Sequence, residues 1–348
     1  MKVLLVGTFP PAPGQIAVGQ FLQKSCIAMQ AAFEELGHSV DTFHYKAVEE
    51  QNRRWPVWEY RFQKWCRRWL QHAWLPSALQ TLIFRLPGTR RMNALLLDQV
   101  TRGAYDLVLL AKTELVDYDN IPKFNRHAVT WYFFTDWIVI ARQIQADIFA
   151  ARSTFANATR SNVVASFNRA GANAIFLTQG ADTSLYYPDP SQAREYDVVF
   201  VGTLRPNRAR YLRHLEQNGI RVATFGKDMQ HEHVFGPALA DVYRKARIVL
   251  NFNTTVNKTG FSLRVFEVMG CGAFMLTEYC KDLETLFQSG RELVWFDSPA
   301  ECLDLVRRYL ADETARETIA RAGLARIRAE FTWQHIVGRI CAAVEARR

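Results

Sequence analysis

One pattern occurs twice in this chain and narrows its fold more than any other feature. A short apolar run ends at a glycine, and a loop and a helical stretch follow. A second glycine and another apolar run complete it. The first copy is Val3-Leu-Leu-Val6, Gly7, a Gly/Pro-rich loop over 8–14, a helix over 18–36, Gly37 and a strand over 40–45. The second is Tyr196-Asp-Val-Val-Phe-Val201, Gly202, a basic loop, a helix over 207–217, Gly219 and a strand over 221–225. An uninterrupted apolar run of this length reads as a strand covered on both faces, and such strands belong to parallel sheets joined by helical crossovers. Two openings within 348 residues predict two α/β domains, each with its own core.

Further strands are expected at 105–110, 128–134 and 174–178 in the first half, and at 248–253, 273–277 and 293–295 in the second. Helices are expected at 144–151, 162–170, 239–246, 262–269 and 282–288. A basic, Trp-rich stretch over about 50–97 interrupts the first half. Tyr187-Pro188-Asp189-Pro190 reads as a stiff linker, since two prolines exclude helix there. The expected domains are 1–187, with the Trp-rich insertion, 188–330, and a last helical segment, 331–348. The fold class is α/β, two Rossmann-like domains facing across a cleft.

Composition limits the partners. The chain is 49% hydrophobic and 22% charged, which suits a globular protein and not a disordered one. Its net charge of +9 favours nucleotide phosphates, anionic lipid surfaces or nucleic acid. The six cysteines, Cys26, Cys66, Cys271, Cys280, Cys302 and Cys341, form no CxxC pair or zinc-like cluster, so free thiols in a reducing compartment are expected. The opening apolar run is too short for a signal peptide, and no run approaches a membrane span; a cytosolic protein, free or lying on a membrane, is expected. The sequence lacks GxGxxG after either opening strand, a Walker A loop and a GxSxG elbow, the usual carriers of oxidoreductase, P-loop and serine hydrolase chemistry, and no Asp-x-Asp stands out to favour metal-dependent transfer.

The stretch most suggestive of chemistry is Thr259-Gly-Phe-Ser-Leu-Arg-Val-Phe-Glu-Val-Met-Gly-Cys-Gly272. Ser262 is expected to cap a short helix that Gly270 stops. Arg264 in the first turn opposes the helix dipole unless an anion lies there too. Glu267, three residues on, shares its face. A carboxylate there accepts ribose hydroxyls while the guanidinium takes a diphosphate. The ordinary alternative is a surface helix with an i,i+3 ion pair.

This stretch resembles the donor-site segment of GT-B glycosyltransferases of the group 1 kind, especially the CgeB-like branch, whose pattern is Ser-x-Arg-x-x-Glu-x-x-(Gly/Ala)-x-Gly. Ser262, Arg264, Glu267, Gly270 and Gly272 fit it. The resemblance covers essentially the second half and the Gln179-Gly-Ala-Asp182 entry; in the first half only the architecture is alike. It implies the GT-B arrangement, a glycosyltransferase (EC 2.4, hexosyltransferase-like), and a ribose-binding role for Glu267. It also implies a terminal helix returning to the first domain. Retaining members often carry another glutamate eight positions before the matching one. Thr259 stands there instead, so the resemblance does not set the stereochemistry.

In Phe200-Val-Gly-Thr-Leu-Arg-Pro-Asn-Arg208, Gly202 lets a ligand approach the backbone at a strand end, and Arg205 and Arg208 are near enough for a diphosphate. A solvated basic loop is the alternative. Asn253 and Lys258 are placed beside the donor, and Lys227 after the 221–225 strand is a further candidate for the base side. In the first domain Asp136 follows the apolar strand Trp131-Tyr-Phe-Phe, where desolvation raises a carboxyl towards a general base's working range. A helix N-cap is its alternative role. His127 and Asp182 are other candidates for the base.

Trp55, Trp58, Phe62, Trp65 and Trp69 form one helical stripe flanked by Arg54, Arg61, Lys64 and Arg68, with Arg85, Arg90 and Arg91 extending the basic surface. This fits a helix in an anionic membrane interface, as in GT-B enzymes with lipid-linked acceptors. Burial against the domain or a second subunit is the alternative. Nucleic acid ranks behind both, because a single stripe points every ring the same way.

The expected reaction moves a sugar from a nucleotide-diphosphate sugar of the UDP, GDP or TDP type to a hydroxyl acceptor: a glycan, a lipid-linked acceptor or a small molecule. Arginine charge and the helix terminus hold the leaving diphosphate without a metal, and no cofactor is expected. The alternatives are a nucleotide-sugar epimerase on the same fold, and a non-catalytic membrane- or RNA-binding scaffold.

Overall fold

The computed structural model describes residues 1–348 apart from 11–14, 18–23, 50–57, 60, 63–64, 66–75, 228, 254–257 and 348. The chain forms two compact units, Met1–Thr178 with Ile336–Arg348, and Gln179–His335.

The first unit holds a six-stranded sheet of order β3-β1-β5-β6-β7-β8, every pair parallel. The strands are β1 Lys2–Gly7, β3 Ser39–His44, β5 Leu107–Ala111, β6 Val129–Phe134, β7 Phe155–Ala158 and β8 Ala174–Phe176. β2 Gln15–Ala17 and β4 Ala47–Glu49 make a separate antiparallel pair. Val3 to Val6 and Leu107 to Leu110 are fully buried, as continuous apolar runs covered on both faces require. Trp131 to Phe134 fill the centre with aromatic rings.

Two features depart from the expectations. The helix expected over 144–151 is Ala146–Arg152, but a further helix, Ile138–Gln143, precedes it, and the two are separated at Gln145, whose φ of 53° lies in the left-handed region. β7 was not foreseen, because Phe-Ala-Asn-Ala has little strand propensity. Its register is fixed instead by Asn157, which accepts from Trp131 Nε1 at 2.7 Å and donates to the Leu177 carbonyl at 3.2 Å.

The second unit holds a five-stranded parallel sheet of order β10-β9-β11-β12-β13. Its strands are β9 Tyr196–Val201, β10 Val222–Phe225, β11 Ala246–Asn251, β12 Met275–Glu278 and β13 Val294–Phe296. Helices Pro206–Gln217, Pro237–Arg244, Arg264–Gly270, Pro299–Ala311 and Glu313–Glu330 complete the unit, with one turn at Lys281–Glu284 where 282–288 was expected. Phe200, Tyr211, Phe252 and Phe296 interlock at ring separations of 5.2 to 5.7 Å. The segment read as a linker is fastened to this unit. The buried Arg244 guanidinium donates to the Leu185 carbonyl at 3.0 Å and the Tyr187 carbonyl at 2.7 Å.

In both sheets the first strand lies inside, with the second strand on one side and the third on the other. The chain reverses its direction of winding between β1 and β5, and again between β9 and β11. Crevices open at such points beyond the carboxyl ends of the strands, where α/β sheets take ligands.

Of the Trp-rich stripe, Trp55 and Trp69 lie outside the described residues, as do Arg54, Lys64 and Arg68. Trp58, Phe62 and Trp65 stack in sequence at 5.5 and 6.0 Å. Trp58 and Trp65 are 52% and 56% exposed, so these rings are not core. Glu59 faces inward and accepts from the Gly88 and Thr89 N–H groups at 2.8 and 3.2 Å, capping helix Pro87–Arg102. Among the described residues no helix is long and apolar enough to cross a membrane. Cys26, Cys271, Cys280, Cys302 and Cys341 are buried free thiols; Cys66 lies outside the described residues.

Candidate functional site

The β9–β11 reversal gathers the basic residues of the second unit. Gly202 follows β9 with φ of 154°. A Cβ placed on it would lie 3.3 Å from Arg264 Nη2 and 3.6 Å from Arg208 Nη1, so two guanidinium groups, from loci far apart in sequence, meet over one glycine. The close approach continues beneath: a Cβ on Gly226, after β10, would lie 2.1 Å from the Gly202 carbonyl oxygen. Gly226 is thus as much a part of the site as Gly202, and sequence reading had passed over it for its neighbour Lys227. Lys227 is exposed.

Arg208 is only 6% exposed. It donates to the Thr203 carbonyl at 2.9 Å and the Phe252 carbonyl at 3.2 Å, tying the loop after β9 to the loop after β11. Burial pushes its pKa down to about 10, and the neighbouring Arg264 and Arg205 push the same way. Glu278, at the end of β12, acts on Arg208 in the opposite sense. A cation lowered by burial and by two like charges is a site that gains when an anion arrives.

Ser262 does not cap the helix. The helix begins at Arg264, with Leu263 in the cap position, and the Ser262 hydroxyl donates to Asn251 Oδ1 at 3.1 Å. Gly270 is the last residue of the helix, and a Cβ there would lie 3.1 Å from the Tyr186 carbonyl oxygen. Gly272, at φ of 66°, is the left-handed residue just past the Cys271 cap. Asn253, expected beside a ligand, is buried and committed. Its Oδ1 accepts from Asn251 Nδ2 at 2.9 Å, its Nδ2 donates to the Glu278 carbonyl at 2.7 Å, and its N–H donates to Glu278 Oε2 at 3.0 Å. Ser262, Asn251, Asn253, Thr277 and Glu278 therefore form a polar floor. Glu278 is the member that sequence reading missed; burial, its leading influence, raises its pKa. Lys258, at φ of 56°, pairs with Asp297 and sits 5.4 Å over the Tyr279 ring. It is drawn towards the end of β13.

Glu267 is half-buried on the same helix as Arg264. Beside it lie the phenols of Tyr186 and Tyr243. Arg205, Arg208, Arg264, Gly202 and Glu267 are thus brought to the carboxyl edge of this sheet, while Asn253 and Ser262 lie beneath and Lys258 to one side.

In the first unit, Asp136 follows β6 and forms an ion pair with Lys112, which follows β5 with φ of 50°. Close by in sequence, Glu114 is 5% exposed and accepts from Tyr45 Oη at 2.7 Å and Lys46 Nζ at 2.9 Å. His44 ends β3 on the same sheet edge; burial, assisted by Lys46, lowers its pKa to about 4, so its ring is neutral. Glu114 and His44 were not singled out by sequence. Glu114 lies in a loop with no motif, and His44 ends an otherwise ordinary strand. His127 corrects an expectation. It is exposed and precedes β6, whereas Asp136 follows it; six residues of strand, about 20 Å, separate the two ends. The structure does not bring His127 and Asp136 together. Asp182 accepts from the Ser184 N–H and hydroxyl in a tight turn.

Residues 205–342 match the family described as "Glycosyl transferase-like". No curated protein matches the chain in sequence. Among solved structures, sucrose-phosphate synthase from Thermosynechococcus elongatus is similar at a TM-score of 0.65 and 13% identity, over 100% of both chains. Anabaena HepE, solved in complex with UDP and glucose, is similar at 0.65 and 13% identity, over 99% of this chain and 100% of that one. A glycosyltransferase from Rickettsia africae is similar at 0.64 and 8% identity, over 99% and 98%. These likenesses establish fold: two parallel-sheet α/β domains of the GT-B glycosyltransferase kind, with a glycosyl transferase-like segment spanning the arginine cluster and Glu267.

Proposed function

We propose that the protein is a glycosyltransferase that takes a sugar from a nucleotide-diphosphate sugar and passes it to a hydroxyl acceptor. The observation that carries this reading is the convergence of Arg205, Arg208 and Arg264 at the β9–β11 crevice beside Glu267. Three guanidinium groups there match a diphosphate in charge, and preset positive charge stabilises the leaving nucleotide as its bond to the sugar breaks. In this reading that charge does a metal's work. Glu267 takes the ribose hydroxyls, and Asp136 receives the acceptor's proton. HepE with UDP in its structure has the same fold, which favours a uridine nucleotide as the first to test. The pattern of Ser262, Arg264 and Glu267 supports the CgeB-like branch within this reading.

Trp58 and Trp65, exposed and stacked through the half-buried Phe62, with exposed Arg61, support an acceptor at an anionic membrane surface for a cytoplasmic protein. Glycan and small-molecule acceptors meet the same chemistry.

The test is a melting panel with UDP, GDP and TDP on the wild type, Glu267→Ala and Arg264→Ala. A shift in the wild type that both variants lose is expected; no shift with any nucleotide would sink the reading. Product analysis without acceptor separates the remaining alternative, since an epimerase converts the donor alone.

A further inference from the structure

Lys112 stands where glycine would fit with less strain. Its φ of 50° lies in the left-handed region, which residues other than glycine seldom adopt. Backbone of this kind persists only where its surroundings over-determine it, and such positions gather at functional sites. Here the surroundings are explicit. The Lys112 N–H donates to the Phe133 carbonyl of the neighbouring strand at 3.2 Å, and the Lys112 carbonyl accepts from the Glu114 N–H at 3.1 Å. Tyr45, 3% exposed, donates its hydroxyl to Glu114 Oε2 at 2.7 Å, with the Lys112 carbonyl 3.0 Å away as a second acceptor. Lys46 Nζ donates to Glu114 Oε1 at 2.9 Å. The loops after β3 and β5 are thereby tied together, and the tie fixes the turn at Lys112. β5 and β6 are adjacent, with Ala111 level with Phe133, so Lys112 and Asp136 leave the same sheet edge. There the Lys112 ammonium forms an ion pair with Asp136 Oδ2, an oxygen sealed from solvent. The two side chains are 26% and 30% exposed, so the pair is only partly screened by water while the aspartate remains within reach of a ligand.

We propose that Lys112 is a positioning residue for Asp136: its ammonium fixes Oδ2 and so aims Oδ1 at the acceptor hydroxyl. This rests on the proton-accepting role given to Asp136 above. The terminal torsion of an aspartate is broad, so a carboxylate at a loop end has little preferred direction without a partner. The ion pair removes that freedom before the acceptor arrives, and orientation of reacting groups acts directly on rate. The ammonium holds one oxygen and the other faces the chemistry. The left-handed turn is the consequence of placing a long cationic side chain at the end of β5, and Tyr45, Lys46 and Glu114 hold the turn in place.

The experiment uses the full chain and follows nucleotide release from UDP-, GDP- and TDP-glucose with water as acceptor. The proteins are the wild type, Lys112→Gln, Lys112→Gly, Lys112→Arg and Asp136→Asn, with Lys112→Gln repeated on Asp136→Asn and a thermal melt of each. Lys112→Gln and Lys112→Gly should each lose about ten- to hundredfold in kcat with KM for the donor unchanged. Lys112→Arg, which keeps the positive charge, should stay within about threefold of the wild type. Lys112→Gly should melt no lower than Lys112→Gln, since glycine accepts the left-handed turn. On Asp136→Asn the Lys112 change should have no further effect. A Lys112→Gln rate equal to the wild type, an arginine variant as slow as the glutamine one, a loss in Lys112→Gln that Lys112→Gly does not share, or the same loss without the Asp136 carboxylate would each overturn the proposal while leaving Asp136 as the base. An Asp136→Asn variant as fast as the wild type, or a wild type that releases nucleotide from none of the three donors, would overturn the reading beneath it as well.

Discussion

Replacing Arg264 with glutamine isolates the electrostatic part of the site. The guanidinium of Arg264 lies beside that of Arg208 over Gly202, both at the crevice mouth. For a phosphate oxygen about 5 Å from a guanidinium in an effective dielectric of about 20, the attraction is about 3 kcal/mol per unit charge. A charge-assisted hydrogen bond is worth about 1.5–3 kcal/mol net. The expected loss is therefore about 1.5–3 kcal/mol of binding to a nucleoside diphosphate, about 10- to 150-fold in Kd. Uridine, which lacks phosphates, should bind Arg264→Gln as it binds the wild type. The dependence of UDP affinity on salt should weaken, because one cation fewer is screened. The unliganded protein should not lose stability, since the substitution relieves repulsion on the buried Arg208. Calorimetry with UDP and uridine at low and high salt, with a thermal melt, reads all three quantities. If UDP and uridine weaken equally, or the melt falls with affinity unchanged, the anion-site argument is wrong.

Three further outcomes follow from the geometry. Gly226→Ala places a Cβ 2.1 Å from the Gly202 carbonyl oxygen at a φ of 155°; overpacking and backbone strain together cost about 2–5 kcal/mol, read as a lower denaturation midpoint and lost nucleotide response. Asp136→Asn should lower kcat by about 10²–10⁴ with donor affinity unchanged, and a kcat within threefold of wild type would remove Asp136 from the proton-transfer role. His44 has a folded pKa of about 4, below its unfolded value of about 6.5, so the unfolded chain binds the extra proton between them. Stability is therefore full above about pH 6.5 and falls by about 2 kcal/mol towards pH 4, allowing for partial solvent screening. Denaturant midpoints of the wild type and His44→Gln should diverge over this window, with the variant less sensitive to acid.

The apolar runs at Val3–Val6 and Val198–Val201 are legible in the sequence, because a run without alternation fits a strand covered on both faces. Arg264 and Glu267 could be read as neighbours, because helical spacing sets their shared face locally. β7 escaped because Asn157 earns its place through Trp131 and the Leu177 carbonyl, contacts with no trace in Phe-Ala-Asn-Ala. Asn253 and Ser262 are polar residues of the right kind near the right place. Only the packed structure showed their groups spent on Asn251 and Glu278.

By itself the sequence determined the two α/β units, the strands that open them and the short helix bearing Arg264 and Glu267. These follow from periodicity and chain stiffness, which act over a few residues. Tertiary structure alone decided the strand order that opens a crevice between β9 and β11. It also decided the stacking of Gly226 under Gly202 and the separation of His127 from Asp136. Those depend on which distant segments pack together, a choice made by summed burial over the whole core.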